Sequence, residues 1–216
     1  MINIVIIGQN EGESIEKMLQ SISHVDSRRI WVLDRCTDSS EKYLEETGEL
    51  YVKTPGKLTG RQTSTARNLG LSLCDPECDV LFLDGDRFIT SGDLANLYPW
   101  EKDIALLLLE YDARDEIINY EKHYRTIHNF FYSCGVFFKR EAINKILAYQ
   151  GELFPVELQT HWGVEDVGLG DVCYYLGLTC DIYKGCRLNG EFNLFDVSAE
   201  AMKIRFDRIN RIWNQQ

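Results

Sequence analysis

Short apolar runs alternate with stretches of helical period along the first half of the chain, and few architectures accept that alternation. Residues 2–8 form a nearly continuous run rich in β-branched side chains, as expected of a strand buried on both faces of a parallel sheet. Over residues 13–22, Ile15, Met18, Leu19 and Ile22 recur at helical spacing, so a crossover helix should follow from near Glu13 or Ser14. The unit then repeats. Residues 30–33 read as a strand, residues 39–46 as a helix opened by Asp38-Ser39-Ser40, residues 50–53 as a third strand and residues 63–73 as another helix. That helix delivers the chain to residues 80–83, a core strand running into Asp84-Gly85-Asp86. Such alternation specifies a doubly wound α/β sheet, and 216 residues suit one domain with a decorated second half.

Ligands of open α/β sheets bind outside the carboxyl ends of the strands. Those ends here are polar and acidic: Asn10-Glu11, then Asp34, then Asp84 and Asp86. Two carboxylates on a tight turn suit a divalent cation such as Mn²⁺ or Mg²⁺, which takes oxygen ligands and shares them with substrate phosphates. Asp-Gly is also a common hairpin turn pair. A carboxylate at Asp34 can accept a hydrogen bond from a ring N–H of uracil or guanine, or it can cap the helix that follows. Lys53, Lys57, Arg61 and Arg67 form a basic stretch in an acidic chain, suited to gripping a diphosphate or to forming a solvated face. Neither a dinucleotide Gly-x-Gly-x-x-Gly nor a P-loop motif is present.

The second half is less regular. Residues 104–110 read as a strand, 111–129 as a loop or irregular helix over the site, 130–138 as strand-like and 140–147 as a helix. His161-Trp162-Gly163-Val164-Glu165-Asp166 then precedes Val167, Leu169, Val172 and Leu176, which suggest a further helix. Acids in a first helical turn favour the positive end of the helix dipole, and one pointed into a cleft can serve as a general base. Trp162 suits either a core position or a stacking platform for a sugar. Near the end, Met202, Phe206, Ile209 and Trp213 share one helical face, with Lys203, Arg205, Arg208 and Arg211 beside them. That segment should dock on the domain as a helix, or make a membrane-surface or homodimer contact.

A net charge of −11 argues against nucleic acid as a partner. Seven cysteines at 36, 74, 78, 134, 173, 180 and 186 lack zinc-type pairing and suit reduced thiols; Cys74 and Cys78 flank Pro76 and read as loop residues. There is no signal peptide and no apolar run of membrane-spanning length, so a soluble cytoplasmic protein is expected, with peripheral membrane contact as an option.

Taken together, Asn10-Glu11, Asp34 with Cys36-Thr37-Asp38, Ala66-Arg67-Asn68-Leu69-Gly70, Asp84-Gly85-Asp86 and Trp162-Gly163-Val164-Glu165-Asp166 resemble the ordered motifs of metal-dependent GT-A glycosyltransferases. They resemble in particular the family 2 type and its galactosyltransferase and polypeptide N-acetylgalactosaminyltransferase relatives, with a galactosyltransferase-like Trp-Gly-x-Glu-Asp motif. The resemblance runs from Ile2 to about Phe192. It implies one GT-A domain over residues 1–216, a Rossmann-like nucleotide-diphospho-sugar transferase with a mixed, mostly parallel sheet flanked by helices. Residues 1–110 would form the nucleotide-binding half, 111–197 the acceptor half and 198–216 a C-terminal helix. The implied reaction moves a sugar from a nucleotide-diphosphate donor, a UDP-sugar by preference, to a glycan, lipid-linked or small-molecule acceptor. Asn10, Glu11, Asp34, Arg61, Arg67, Asp84 and Trp162 would line the donor. Asp34 would read the base, and Asp84 the ribose or a metal-bound water. Asp86 would bind Mn²⁺ or Mg²⁺ with Asp84, Asp166 would be the general base of an inverting transfer, and Glu165 would hold the acceptor or the donor sugar. In retaining relatives the corresponding motif resembles Trp-Gly-Gly-Glu-Asn.

Two positions depart from the pattern. The histidine metal ligand of relatives has no counterpart in Cys186-Arg187-Leu188-Asn189-Gly190-Glu191, where Asn189 or Glu191 would have to supply an oxygen. Arg87 stands where relatives often have a small or acidic residue, and would contact the diphosphate or compete with the metal. Two other readings fit the same chain less well: a sugar nucleotidyltransferase, whose glycine- and arginine-rich first loop is missing, and a noncatalytic nucleotide-sugar or carbohydrate-binding protein.

Overall fold

Strand β1 (Ile2–Gly8) is the spine of the sheet, and all seven of its residues are buried. A computed structural model describes residues 1–56, 60, 62–94, 97–112, 133–159, 164–192, 203 and 207, without the side chains of 111, 112, 164, 191 and 192. β1 pairs in parallel with β2 (Ser27–Leu33) on one side and with β4 (Val80–Asp84) on the other, and β2 carries the short parallel strand β3 (Tyr51–Lys53). The chain thus winds outward from β1 to β3 and returns to β4 across β1. Strand order reverses direction between β1 and β4, the place where open α/β sheets form a crevice.

Past β4 the doubly wound pattern expected from the sequence gives way to mixed pairing. β7 (Gly135–Phe138) is antiparallel to β4, and β6 (Ile104–Asp112) is antiparallel to β7. β8 (Cys180–Phe192) runs parallel to β6, and β5 (Ile89–Gly92) lies antiparallel to β8 at the edge. The eight strands stand in the order β3-β2-β1-β4-β7-β6-β8-β5. β4 and β5 are not partners, so Asp84-Gly85-Asp86 is no hairpin turn; it is a crossing loop that leads from the centre of the sheet to its edge.

Other boundaries moved for local reasons. β2 starts at Ser27 because backbone pairing with β1 needs no apolar side chain, and Arg29 there forks onto Glu49 at 3.1 and 2.8 Å. Helix α1 (Ile15–Ser21) starts later than Glu13 because the Glu11 carbonyl accepts the N–H groups of Ser14 and Ile15, making a turn first. Helix α2 (Ser40–Thr47) ends at Gly48, whose φ of 70° is left-handed and suits glycine. Only Gly135–Phe138 of the expected strand 130–138 pairs, while residues 130–132 lie outside the described set. Of residues 111–129, expected as a loop or irregular helix over the site, 111 and 112 extend β6 and 113–129 fall outside the described set, as does most of the segment 198–216, of which Lys203 and Asp207 are exposed. All seven cysteines are free thiols. No helix among the described residues is long and apolar enough to cross a membrane.

Helix α3 (Thr63–Ser72) packs on β1 and β2. The approach is close: a Cβ at Gly70 would stand 2.3 Å from Val5 Cγ1 and 3.1 Å from Val32 Cγ2. Both neighbours are buried β-branched residues with little rotamer freedom. Helix α4 (Arg140–Gln150) and helix α5 (Val164–Tyr175) complete the helical set used below. Gly70→Ala should therefore lower stability by about 1–3 kcal/mol in urea denaturation through overpacking, despite the ~1 kcal/mol advantage of alanine in a helix. An equally stable variant would mean that α3 can lift from the sheet without loss.

Candidate functional site

A pocket opens at the carboxyl ends of β1, β2 and β4, with Ile7, Gly8, Gln9, Glu11, Asp34, Gln62, Thr63, Ala66, Asp84 and Asp86 on its walls. Asp34 stands one residue past β2, Asp84 is the last residue of β4, and Asp86 follows on the crossing loop. The crossing loop is pressed inward. Gly85 N–H donates to the Ile7 carbonyl at 2.7 Å, and a Cβ on Gly85 would meet Glu11 Cγ at 3.0 Å, Ile7 O at 3.2 Å and the Trp31 ring at 3.3 Å. Glycine is needed there to let the backbone approach β1.

The first two loops are tied to each other. Asn10, at φ 63°, accepts the Thr37 N–H on its side-chain oxygen at 2.7 Å and donates its own N–H to Cys36 Sγ at 3.3 Å. Asp38 accepts from Gly12 N–H at 2.9 Å and Ser40 N–H at 3.0 Å, so it is Asp38 that caps the start of α2. Asp34 makes no such cap. Its carboxylate accepts from Arg35 and from the Thr54 hydroxyl instead.

Glu11, Asp84 and Asp86 gather acidic charge on one wall. Burial pushes Glu11 above the usual carboxylate range, and Asp86, Asp84 and Asp38 add to the rise. Asp86 is also raised by burial, a shift that Arg87 opposes and Asp84 reinforces. Among the described residues, no group of three or more His, Cys, Asp or Glu is arranged to hold a metal ion. Asp84 and Asp86 do supply two carboxylates, the number with which Mg²⁺ is commonly held when substrate phosphates and waters complete its shell.

The expected cations are placed differently. Lys53 pairs with Glu41 of α2. Lys57 and Arg61 lie outside the described residues, as does Trp162. Arg67 does not line the pocket; its side chain is only 3% exposed, its Nη2 donates to Asp84 Oδ1 at 2.7 Å, and its guanidinium lies 5.4 Å from the Phe154 ring centroid. Burial pulls Arg67 down, but Asp84, Asp166 and Glu165 together hold it above its ordinary value. Its position orients Asp84 from beneath. Arg87 braces the crossing loop, with Nη1 on the Asn189 carbonyl at 3.1 Å and Nε 3.5 Å from Asp86 Oδ1.

Asn189 spends both ends of its amide on the same loop. Its oxygen accepts Phe88 N–H at 2.6 Å and its nitrogen donates to the Asp86 carbonyl at 2.8 Å. That corrects the expectation of a free oxygen for a metal: Asn189 shapes the backbone that presents Asp86. Glu191 lies in β8 opposite Tyr111, with its side chain outside the described set.

Glu165 and Asp166 occupy the first turn of α5, as expected, and face the same buried arginine. Glu165 Oε1 accepts from the Thr63 hydroxyl at 3.1 Å while Oε2 is buried without a hydrogen bond. Asp166 Oδ1 accepts a hydrogen bond from the Ser133 hydroxyl, a partner that sequence reading missed. Burial raises Asp166, and Arg67 and Ser133 restrain the rise. Glu165 is raised well above the carboxylate range by burial and then by Asp166, with Arg67 opposing. A carboxyl whose folded value lies above its unfolded one stabilises fully below the ordinary value near 4.5 and loses that contribution as pH climbs through the raised value. Glu165→Gln has no proton to lose, so its stability relative to the parent should increase from about pH 5 to about pH 8 in denaturant titrations. A constant difference across that range would show Glu165 ionised in the folded protein.

Neither a protein-family model nor a curated protein matches the chain. Solved structures do. S. aureus TarS 1-349 superposes with a TM-score of 0.69 at 17% identity over 98% of this chain, and its complex with UDP does so at 0.70. The chain spans 65% of the TarS structures. Glucosyl-3-phosphoglycerate synthase from Mycobacterium tuberculosis, in complex with Mg²⁺ and UDP, superposes at 0.61 with 17% identity, covering 98% of this chain and 79% of that one. The same enzyme with Mn²⁺, UDP-glucose and phosphoglyceric acid superposes at 0.58. The likeness is one of fold: this chain has the mixed, mostly parallel α/β architecture of the GT-A glycosyltransferases.

Proposed function

We propose that the chain is a glycosyltransferase that moves a sugar from a UDP-sugar to an acceptor hydroxyl, with a divalent cation and with inversion at the anomeric carbon. The observation that carries the reading is the composition of one pocket at the reversal of strand order. Asp34 stands at its β2 end, and Asp84 and Asp86 stand at its β4 end. Residues 1–110 would hold the donor, and residues 111–197 the glycan, lipid-linked or small-molecule acceptor. TarS in complex with UDP, and the synthase in complex with UDP-glucose and Mn²⁺ or with UDP and Mg²⁺, lend support through the shared fold.

In this reading Asp34 accepts the ring N–H of the base. Arg67 fixes the Asp84 carboxylate from below, leaving Asp84 and Asp86 as the residues that would hold the cation. A cation held there supplies neutralisation of the charge that develops on the leaving diphosphate. Asp166 takes the proton of the acceptor hydroxyl as its oxygen bonds to the anomeric carbon and the bond to the diphosphate breaks. Ser133 holds the Asp166 carboxyl in place, and burial makes it more basic than a solvated aspartate. Glu165 keeps the acceptor or the donor sugar beside it.

UDP with Mn²⁺ should raise the melting temperature of the parent protein and not that of Asp86→Ala, since a ligand bound only to the native state stabilises it by mass action. Full stabilisation of Asp86→Ala would remove Asp86 from the cation site. Asp166→Asn should lose about 10²–10⁴-fold in kcat, the usual worth of a general base, with substrate binding largely kept. Proton NMR of fresh product should show a β-linked sugar from an α-linked donor. An α-linked product would overturn the inverting mechanism.

A further inference from the structure

Asp34 reaches the pocket with most of its hydrogen-bonding capacity already committed. An ionised carboxylate offers about four acceptor positions. Arg35 Nε donates to Oδ1 at 3.0 Å and Arg35 Nη2 to Oδ2 at 2.8 Å, a two-pronged fork, and the Thr54 hydroxyl donates to Oδ1 at 2.7 Å. One position, on Oδ2, is left. The fork is held from both ends. Arg35 Nη2 also donates to the Gly60 carbonyl at 2.6 Å, and the Arg35 backbone sits at φ 51°, in the left-handed region. A residue other than glycine spends about 1–2 kcal/mol to stay there. Thr54 is fixed by its own N–H on the Leu33 carbonyl at 3.0 Å.

The bases differ in what they ask of such a carboxylate. Uracil presents one ring N–H between two carbonyls. Guanine presents a ring N–H beside an amino group, two parallel donors that match the two oxygens of a free carboxylate. That two-oxygen face of Asp34 is the one Arg35 fills. We propose that Arg35 is a specificity-determining residue, which by occupying the paired face of Asp34 leaves a single acceptor that admits uracil and turns guanine away. The inference rests on the nucleotide-sugar reading of the pocket and adds to it the basis of base choice. Arg35 Nη1, which makes no hydrogen bond among the described residues, is left to donate to a uracil carbonyl.

Calorimetric titration of the full chain with UDP and with GDP, each with Mn²⁺, tests this. The parent should bind UDP at least about tenfold more tightly than GDP. Arg35→Gly removes the fork and suits the left-handed backbone, so the fold is kept; Arg35→Met removes the donors while keeping the stem. In both, the UDP-to-GDP affinity ratio should fall at least about tenfold, mainly through tighter GDP binding. A parent that prefers UDP and variants with the same ratio would overturn the role of Arg35 and leave the nucleotide reading standing. A parent that prefers GDP would overturn it likewise. Binding of neither nucleotide by the parent would overturn the nucleotide reading and this inference together.

Discussion

The buried pair of Arg67 and Asp84 is the interaction on which the rest of the site depends. A guanidinium taken out of water is costly unless charges and hydrogen bonds replace its hydration. Here one carboxylate touches it directly and two more, Glu165 and Asp166, act on it through space. Its Nε and Nη1 are buried without hydrogen-bond partners, so much of its compensation is electrostatic. The arrangement makes the two halves of the chain mutually dependent: Asp84 belongs to the central strand of the first half, the two acids to a helix of the second, and the cation between them to α3. Deleting Arg67 would remove the cation that faces all three acids in a region of low polarity.

α3 is the element through which that dependence is built. Thr63 donates to Glu165, Thr65 bonds Gln159 through both its N–H and its hydroxyl, and Asn68 exchanges two hydrogen bonds with the backbone of Phe154 at 2.7 and 2.9 Å. Phe154 in turn meets Phe82 of β4 edge to face at 4.9 Å. The Ala66-Arg67-Asn68-Leu69-Gly70 stretch can thus be read residue by residue. Ala66 lines the pocket, Arg67 supports Asp84, Asn68 clamps the second half and Gly70 lets the helix sit against Val5. A motif that looks like binding chemistry in the sequence is mostly scaffolding in the fold.

What could be read from the sequence follows the same line. The parallel half was legible because β1 and β4 are buried on both faces and therefore apolar throughout, and Asp34, Asp84 and Asp86 were legible because strand ends are where such sheets bind ligands. β8 was not legible: its thirteen residues mix charges, cysteines and glycines, and its partners β6 and β5 are distant in sequence and skip register along it. Arg67 was read as reaching for phosphate because arginine is seldom buried, and only tertiary packing reveals the acids that hold it. The commitments of Asn189 and Arg35 depend on backbone positions supplied by other loops, which no local pattern announces.

The Asn189 clamp has a consequence for how the pocket comes into being. Its two hydrogen bonds join residues 86 and 88 to a strand made more than a hundred positions later, and Arg87 closes the same joint from the other side. Chains emerge from the ribosome amino end first, and a domain generally folds as a unit. β1 to β4 all precede that joint in the chain, and the loop that carries Asp86 stays unbraced until β8 arrives. The β4 wall of the pocket is therefore completed only once the last strand of the sheet has been made.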